Sequence, residues 1–130
     1  RKYRAIAAMS HVNIIDNSGA KTGYCIRVIT GHKAQYAKIG DTILVSIKKL
    51  RKKRRDTTKV TKGQIFKALI LRVKVGTRKK NGNIYKFLEN AAVLMTKQNK
   101  LIGTRILGLI TQEFRYTKFT RLLILSAGIA

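Results

Sequence analysis

Residues able to do covalent or acid–base chemistry are few and scattered in this chain. The five carboxylates, Asp16, Asp41, Asp56, Glu89 and Glu113, fall one to a region, so local spacing sets no pair for general acid and base work. Three of them stand in or beside turn-forming stretches, where a carboxylate capping its own backbone explains them. His11 and His32 have no metal-ligand spacing to each other or to Cys25. A single cysteine excludes an internal disulfide and a cysteine-rich zinc site, and Cys25 reads as a small buried hydrophobe of a strand. Neither a Gly-x-x-x-x-Gly-Lys-Ser/Thr loop nor a Gly-x-Ser-x-Gly elbow occurs. Ser10, His11 and Asp16 could form a triad, and Asp41 with Glu89 a metal-dependent nuclease pair, but residue types this common recur by chance. The expectation is a protein that is not an enzyme, with no catalytic residue, metal or cofactor.

The basic residues carry a stronger signal. Lys and Arg number 29 against 5 acidic residues, a formal net charge of +24 in 130 residues. Between Lys48 and Arg55 seven of eight residues are basic, namely Lys48, Lys49, Arg51, Lys52, Lys53, Arg54 and Arg55. Two such charges about 4 Å apart repel by roughly 1 kcal/mol even in water. Such a run stays extended until phosphates fill the gaps between its charges. One cluster alone is as well explained by a solvated loop or a nuclear-localisation address as by phosphate binding. A second cluster, Arg72, Lys74, Arg78, Lys79, Lys80 and Lys86, and a third, Arg105, Arg115, Lys118 and Arg121, shift the reading to nucleic acid. Membrane insertion is not expected, because no apolar run approaches the roughly 20 residues a helix needs. Arg1, Lys2 and Arg4 before Ala5–Met9 mimic a signal peptide, but Ser10, His11 and Asn13 interrupt the apolar stretch early.

The elements that must position these cations read as short strands. With 45% hydrophobic residues the chain has enough for a packed core, so a disordered basic tail is excluded and one domain over residues 1–130 is expected. Val12–Ile15 leads into the turn-forming Asp16-Asn17-Ser18-Gly19. Tyr24–Ile29 follows, with Tyr24, Ile26 and Val28 on one face and Gly31 ending the strand. After the Gly40-Asp41 turn, Thr42–Ile47 has the β-branched content of a half-buried strand. Ile65–Val75 and Ile84–Met95, joined through Asn81-Gly82, form a long hairpin with an apolar base and a cationic tip. Ile102–Gly108 supplies another strand, and Thr111 and Thr117 can cap short helices, the second presenting Phe119, Leu122 and Leu123 on one face. The fold class expected is mainly β, a small closed β-barrel with a helical C-terminal appendage. Aromatic residues are only 7%, and Phe66, Phe87, Phe114 and Phe119 lie in apolar patterns. Tyr36, Tyr85 and Tyr116 stand beside basic residues and could stack on bases or serve as barrel-rim residues. The expected ligand is folded RNA read by shape and phosphate rather than by base sequence.

One stretch has a long multi-residue spacing: Ala68-Leu69-Ile70-Leu71, nine residues, Asn81-Gly82, four residues, Phe87, two residues, Asn90, two residues, Val93-Leu94. It resembles the signature of the universal large-subunit ribosomal protein L-fourteen family. Asp16–Ala20, Cys25–Val28, Tyr36-Ala37 with Gly40-Asp41, Lys62-Gly63 and Ile102–Ile106 agree in order, so the resemblance runs from about Val12 to Ser126. The resemblance implies a five-stranded β-barrel with a protruding β-ribbon and short C-terminal helices, seated on large-subunit rRNA at the face that meets the small subunit. It implies rRNA contacts at the ribbon tip through Arg78, Lys79 and Lys80. Thr104, Arg105, Thr111, Gln112, Arg115 and Lys118 would lie near the inter-subunit surface. Implied partners are large-subunit rRNA, neighbouring proteins of the L-three and L-nineteen families, small-subunit rRNA across the interface and, in some lineages, a ribosome silencing factor.

Leu101 and Leu109 stand where the family usually has proline, Gln112 replaces a usual arginine, and residues after Ser126 diverge and are assigned nothing. The Lys48–Lys59 region is longer and more basic than in typical members, which suits a lineage-specific grip on rRNA or on an extra partner. The resemblance is closer to the bacterial and organellar branch. Absence of proline with abundant Lys and Ile suits an AT-rich genome, giving a mitochondrial ribosome in the matrix as the expected location and the bacterial cytoplasm as the alternative. The rival reading is a free-standing RNA-binding or RNA-chaperone barrel.

Overall fold

The computed structural model describes residues 6–29, 36–51, 59–74, 77–78, 84–85, 89–103, 105–110 and 126–129. Five strands close into a barrel: β1 (His11–Ile14), β2 (Ala20–Val28), β3 (Thr42–Leu50), β4 (Ile65–Arg72) and β7 (Ala91–Met95). Neighbours are antiparallel except at the closure, where β1 runs parallel to β7 with Asn13 opposite Ala91. Between β4 and β7 lies a two-residue ribbon pair, β5 (Thr77–Arg78) with β6 (Ile84–Tyr85). A separate sheet pairs β8 (Ile106–Ile110) in parallel with β9 (Ser126–Ile129). The fold is mainly β, as expected, and no helix occurs among the described residues. The expected helices from Thr111 and Thr117 lie outside them.

Period-two alternation explains the barrel interior. Val12 and Ile14 of β1, Ile43, Val45 and Ile47 of β3, Ala68 and Ile70 of β4, and Ala92 and Leu94 of β7 point inward into one cluster with buried Cys25. β4 and β7 are apolar on both faces, because their outer sides are covered as well. Leu69, Leu71, Val93 and Met95 pack into a second cluster with Ile15 and Ile106. That two-sided burial is why Ala68–Leu71 and Ala91–Met95 read as continuous apolar runs rather than alternating ones.

Four strand readings need correction. The long hairpin expected over Ile65–Val75 and Ile84–Met95 is interrupted: β4 ends at Arg72, β7 begins at Ala91, and β5 with β6 is a separate pair. The expected shared face of Tyr24, Ile26 and Val28 is broken by a β-bulge: Cys25 faces Val45 and Arg27 faces Leu44, so Ile26 is the extra residue. The bulge reverses the alternation, bringing Val28 to the same side as Cys25 and leaving Ile26 exposed. The last strand starts at Ile106 rather than Ile102. Before it, Leu101 bridges Met95 and Ile102 donates its N–H to Leu94 O at 3.2 Å, so this stretch turns back beside the end of β7 and then packs Gly103 against Asp16. Finally, Ser126–Ile129, which carried no assignment, forms β9. Its small residues carry little strand propensity, and pairing with β8 supplies what local sequence does not.

The Asp16–Gly19 turn joins β1 to β2 around a buried carboxylate. Asp16 is 2% exposed. Its Oδ1 accepts from Ser18 Oγ at 2.5 Å and Ser18 N at 3.2 Å, while Oδ2 accepts from Leu94 N at 3.1 Å on β7. Burial pushes the Asp16 carboxyl above its ordinary value of 3.8, opposed in part by these donors and by the Arg51 charge. Gly103 lies directly over it: a Cβ there would stand 2.8 Å from Asp16 Cβ and 2.9 Å from Asn17 Oδ1.

Two outcomes follow from this packing. Gly103→Ala forces the turn or the segment over it to shift and should cost about 1–3 kcal/mol, the range for overpacking, read as a lowered denaturant midpoint; an unchanged midpoint would show that the turn yields freely. Asp16→Asn places an amide group where an acceptor is needed and should cost about 1–3 kcal/mol. Because burial raises the folded-state pKa, the folded protein binds that proton more tightly than the unfolded chain between 3.8 and the raised value. Wild type should therefore gain stability relative to Asp16→Asn as pH falls through that window. A relative loss on acidification would mean the donors outweigh burial.

Candidate nucleic-acid interface

The three basic clusters leave the barrel from different connections, and the Asp16–Gly19 turn with β8 ties their bases together. The β3–β4 connection carries the first cluster. Arg51 at its start donates N–H to Gly19 O at 2.8 Å, and Lys59 at its end donates N–H to Ser18 O at 2.8 Å. Adjacent carbonyls of one turn thus fix both feet of the connection. The Lys59 Nζ also reaches Ile102 O at 3.2 Å. On the other side of the turn, Asn17 Oδ1 accepts from Arg105 N at 3.2 Å, just before β8.

β8 then leads to the base of the ribbon. Asp16 bridges Ile106, and Leu107 N donates to Ile15 O at 2.8 Å. The Arg72 Nη2 donates to Leu107 O, and its Nη1 pairs with Glu89 Oε1 at 2.7 Å. Glu89 Oε2 in turn accepts from Asn13 Nδ2 at 2.7 Å. At the same ribbon base Lys74 N donates to Asn90 Oδ1 at 2.8 Å.

The proposed site residues therefore differ in what they offer. Lys48 and Lys49 at the end of β3 are exposed, as are Lys74 and Arg105. Lys48 Nζ stands 5.3 Å over the Tyr24 ring, whose edge-on partner is His11 at 5.3 Å. Arg51 turns inward, its Nη2 donating to Ile14 O at 2.9 Å, with Nε buried and unpartnered. Arg72 is similarly drawn in, its side chain 11% exposed. These two arginines hold the frame more than they face outward. Arg78 lies on β5, opposite Ile84. Lys52, Lys53, Arg54, Arg55, Lys79, Lys80, Lys86, Thr104, Thr111, Gln112, Arg115 and Lys118 lie outside the described residues.

The three described carboxylates are used by the fold itself. Asp41 Oδ2 accepts from Lys38 N at 2.9 Å in the Gly40 turn, and burial raises its pKa too, against the Lys38 hydrogen bond and charge. Asp16 and Glu89 serve the turn and the ribbon base. Neither the Ser10–His11–Asp16 set nor the Asp41–Glu89 pair is assembled: Ser10 Oγ accepts from Ala7 N, His11 lies against Tyr24, and each acid is engaged as described. Among the described residues no cluster of three His, Cys, Asp or Glu could hold a metal ion.

Further exposed cations surround this frame at Lys21, Arg27, Lys38, Lys59, Lys62, Lys97 and Lys100. Most stand singly between apolar or turn residues, so a search for charge runs passes over them. Lys21 and Arg27 stand on β2 and the other five on turns and connections of the barrel, so it is the fold that gathers them on one molecule's surface. Their charges have few carboxylates to answer them, which makes the surface one for a polyanion.

Tertiary structure and residue pattern agree with a family comparison. The family described as ribosomal protein L14p/L23e matches residues 5–130. Its members are structural, non-enzymatic proteins of the large ribosomal subunit that bind rRNA and work in translation. A closed five-stranded barrel bearing cations on its connections is in keeping with that match, and the chain belongs to the ribosomal protein L14p/L23e family.

Proposed function

We propose that this protein sits at the inter-subunit face of the large subunit and contributes to a bridge to small-subunit rRNA, gripping large-subunit rRNA through its basic connections and ribbon. The observation that carries the reading is the shared frame: the feet of the β3–β4 connection, the Arg105 approach to β8 and the ribbon base are joined through one turn and one strand. Cations carried on strands, as Lys48 and Lys49 are on β3, lose little backbone freedom on meeting phosphates, so less of their attraction is spent on ordering. Lys48, Lys49, Lys52, Lys53, Arg54, Arg55, Lys74, Arg78, Lys79, Lys80 and Lys86 supply the rRNA contacts, with Arg51 and Arg72 setting the bases of their segments. Thr104, Arg105, Thr111, Gln112, Arg115 and Lys118 face the subunit interface. Neighbours of the L-three and L-nineteen families, and in some lineages a silencing factor, share that surface. Composition favours a mitochondrial ribosome over a bacterial one, and residues 1–130 are read as one domain.

If about eight phosphates are neutralised, log K for duplex-like RNA should fall with log salt with a slope on the order of −7. Replacing Lys52, Lys53, Arg54 and Arg55 with Ala should make that slope shallower by about 3–4 and leave the fold intact. A slope near zero in the parent would reject the grip. In sucrose gradients at moderate salt the protein should travel with the large subunit. Recovery only near the top would favour a free-standing RNA-binding or RNA-chaperone barrel instead.

A further inference from the structure

We infer that the Asn17–Gly19 segment, anchored by the buried Asp16 carboxylate, is a positioning element for RNA binding: it holds Lys59 and Arg105, from two distant parts of the chain, as a single preset cation pair. The inference rests on the rRNA-binding reading and adds residues that have no surplus charge and so would never be chosen as RNA contacts.

Three hydrogen bonds make the argument. Ser18 O fixes the Lys59 backbone, Gly19 O fixes Arg51, and Asn17 Oδ1 fixes the Arg105 backbone. The turn cannot shift to follow either segment, because Asp16 ties it to Ser18 on one side and to Leu94 of β7 on the other. Gly103 closes the space above it, with no room for even a methyl group. Lys59 and Arg105 are both exposed, and the Lys59 ammonium, which donates to Ile102 O, has further donors to offer a phosphate. With both backbones fixed at one turn, the two exposed side chains start from neighbouring points and can meet one anion together.

The element can be tested separately from the cations it holds. The probe is a short A-form RNA duplex titrated with the purified full chain over a salt series, each variant being checked first for an unfolding midpoint well above the assay conditions. Asn17→Ala removes the acceptor of the Arg105 backbone from an exposed position and leaves the Asp16 anchor in place. It should weaken binding about fivefold and make the salt slope shallower by about one, the effect of one misplaced cation. The same substitution in an Arg105→Ala background should have no further effect on either quantity. Asp16→Asn should give the larger loss, and that loss should shrink when Lys59 and Arg105 are both alanine, the remainder coming from the Arg51 foot held by Gly19 O. Should Asp16→Asn fail to fold, Asn17→Ala alone decides the matter.

Unchanged affinity and slope in folded Asn17→Ala would overturn the inference, as would a loss that persists undiminished without Arg105, since the asparagine would then act directly. A parent protein whose binding is indifferent to salt would remove the rRNA reading and this inference together. A steep parent slope with an indifferent Asn17→Ala removes only the inference.

Discussion

One buried carboxylate organises a molecule whose other charges are almost all positive. An ionised group withdrawn from water carries a desolvation cost that only well-placed donors and charges offset. Asp16 has such donors in Ser18 and Leu94, and the favourable field of Arg51. The balance remains on the side of burial, since its pKa is raised. What the arrangement secures is geometry: the β1–β2 turn is bound to β7 at one atom and packed beneath Gly103 at another. Remove that constraint and the feet of the basic connection, the approach to β8 and the barrel closure lose their common reference.

Charge explains why the constraint has to be internal. In a chain of net charge +24 the cationic segments repel one another, so they cannot settle their positions through mutual contacts. Backbone carbonyls of Ser18, Gly19, Ile14 and Leu107 take over that task, accepting from Lys59, Arg51 and Arg72. Carbonyls are neutral partners that fix a position without cancelling the charge at it. Among the described residues Glu89 is the exception: it does meet Arg72, at the ribbon base, where the arginine is drawn inward and its charge serves the fold.

Much of this was legible in the residues because the barrel obeys local rules. β-branched alternation marks β3, the Asp-Asn-Ser-Gly and Gly-Asp turns mark strand ends, and the doubly apolar runs mark β4 and β7. The bulge at Ile26 was not legible, since a single extra residue reverses the facing of a strand without altering its composition. Nor was β9, whose strand character comes from β8 beside it. For the interface the asymmetry is sharper. Charge runs point to the basic clusters, but they cannot separate Arg51 and Arg72, which bend back into the frame, from Lys48 and Lys49, which do not. That distinction depends on which carbonyls come within reach, and those carbonyls belong to residues 37 and 35 positions away.

The division of labour between core and periphery follows. Two apolar clusters, one inside the barrel and one over the outer face of β4 and β7, bury their side chains almost completely and contain no carboxylate–cation pair. Stability drawn from such burial is indifferent to salt, whereas the repulsion among surface cations is relieved by salt or by a polyanion. Fold and affinity thus respond to ionic strength in opposite senses: salt relieves the repulsion that opposes folding, while it screens the attraction to phosphate. Because the joint between core and surface lies at the Asp16 turn, hydrogen-bonded to β7 and abutting Gly103, binding of rRNA should be felt in the core there before anywhere else. A gain in protection of the Leu94 amide against hydrogen exchange on RNA binding, larger than at Val45 on the far side of the barrel wall, is the expected sign.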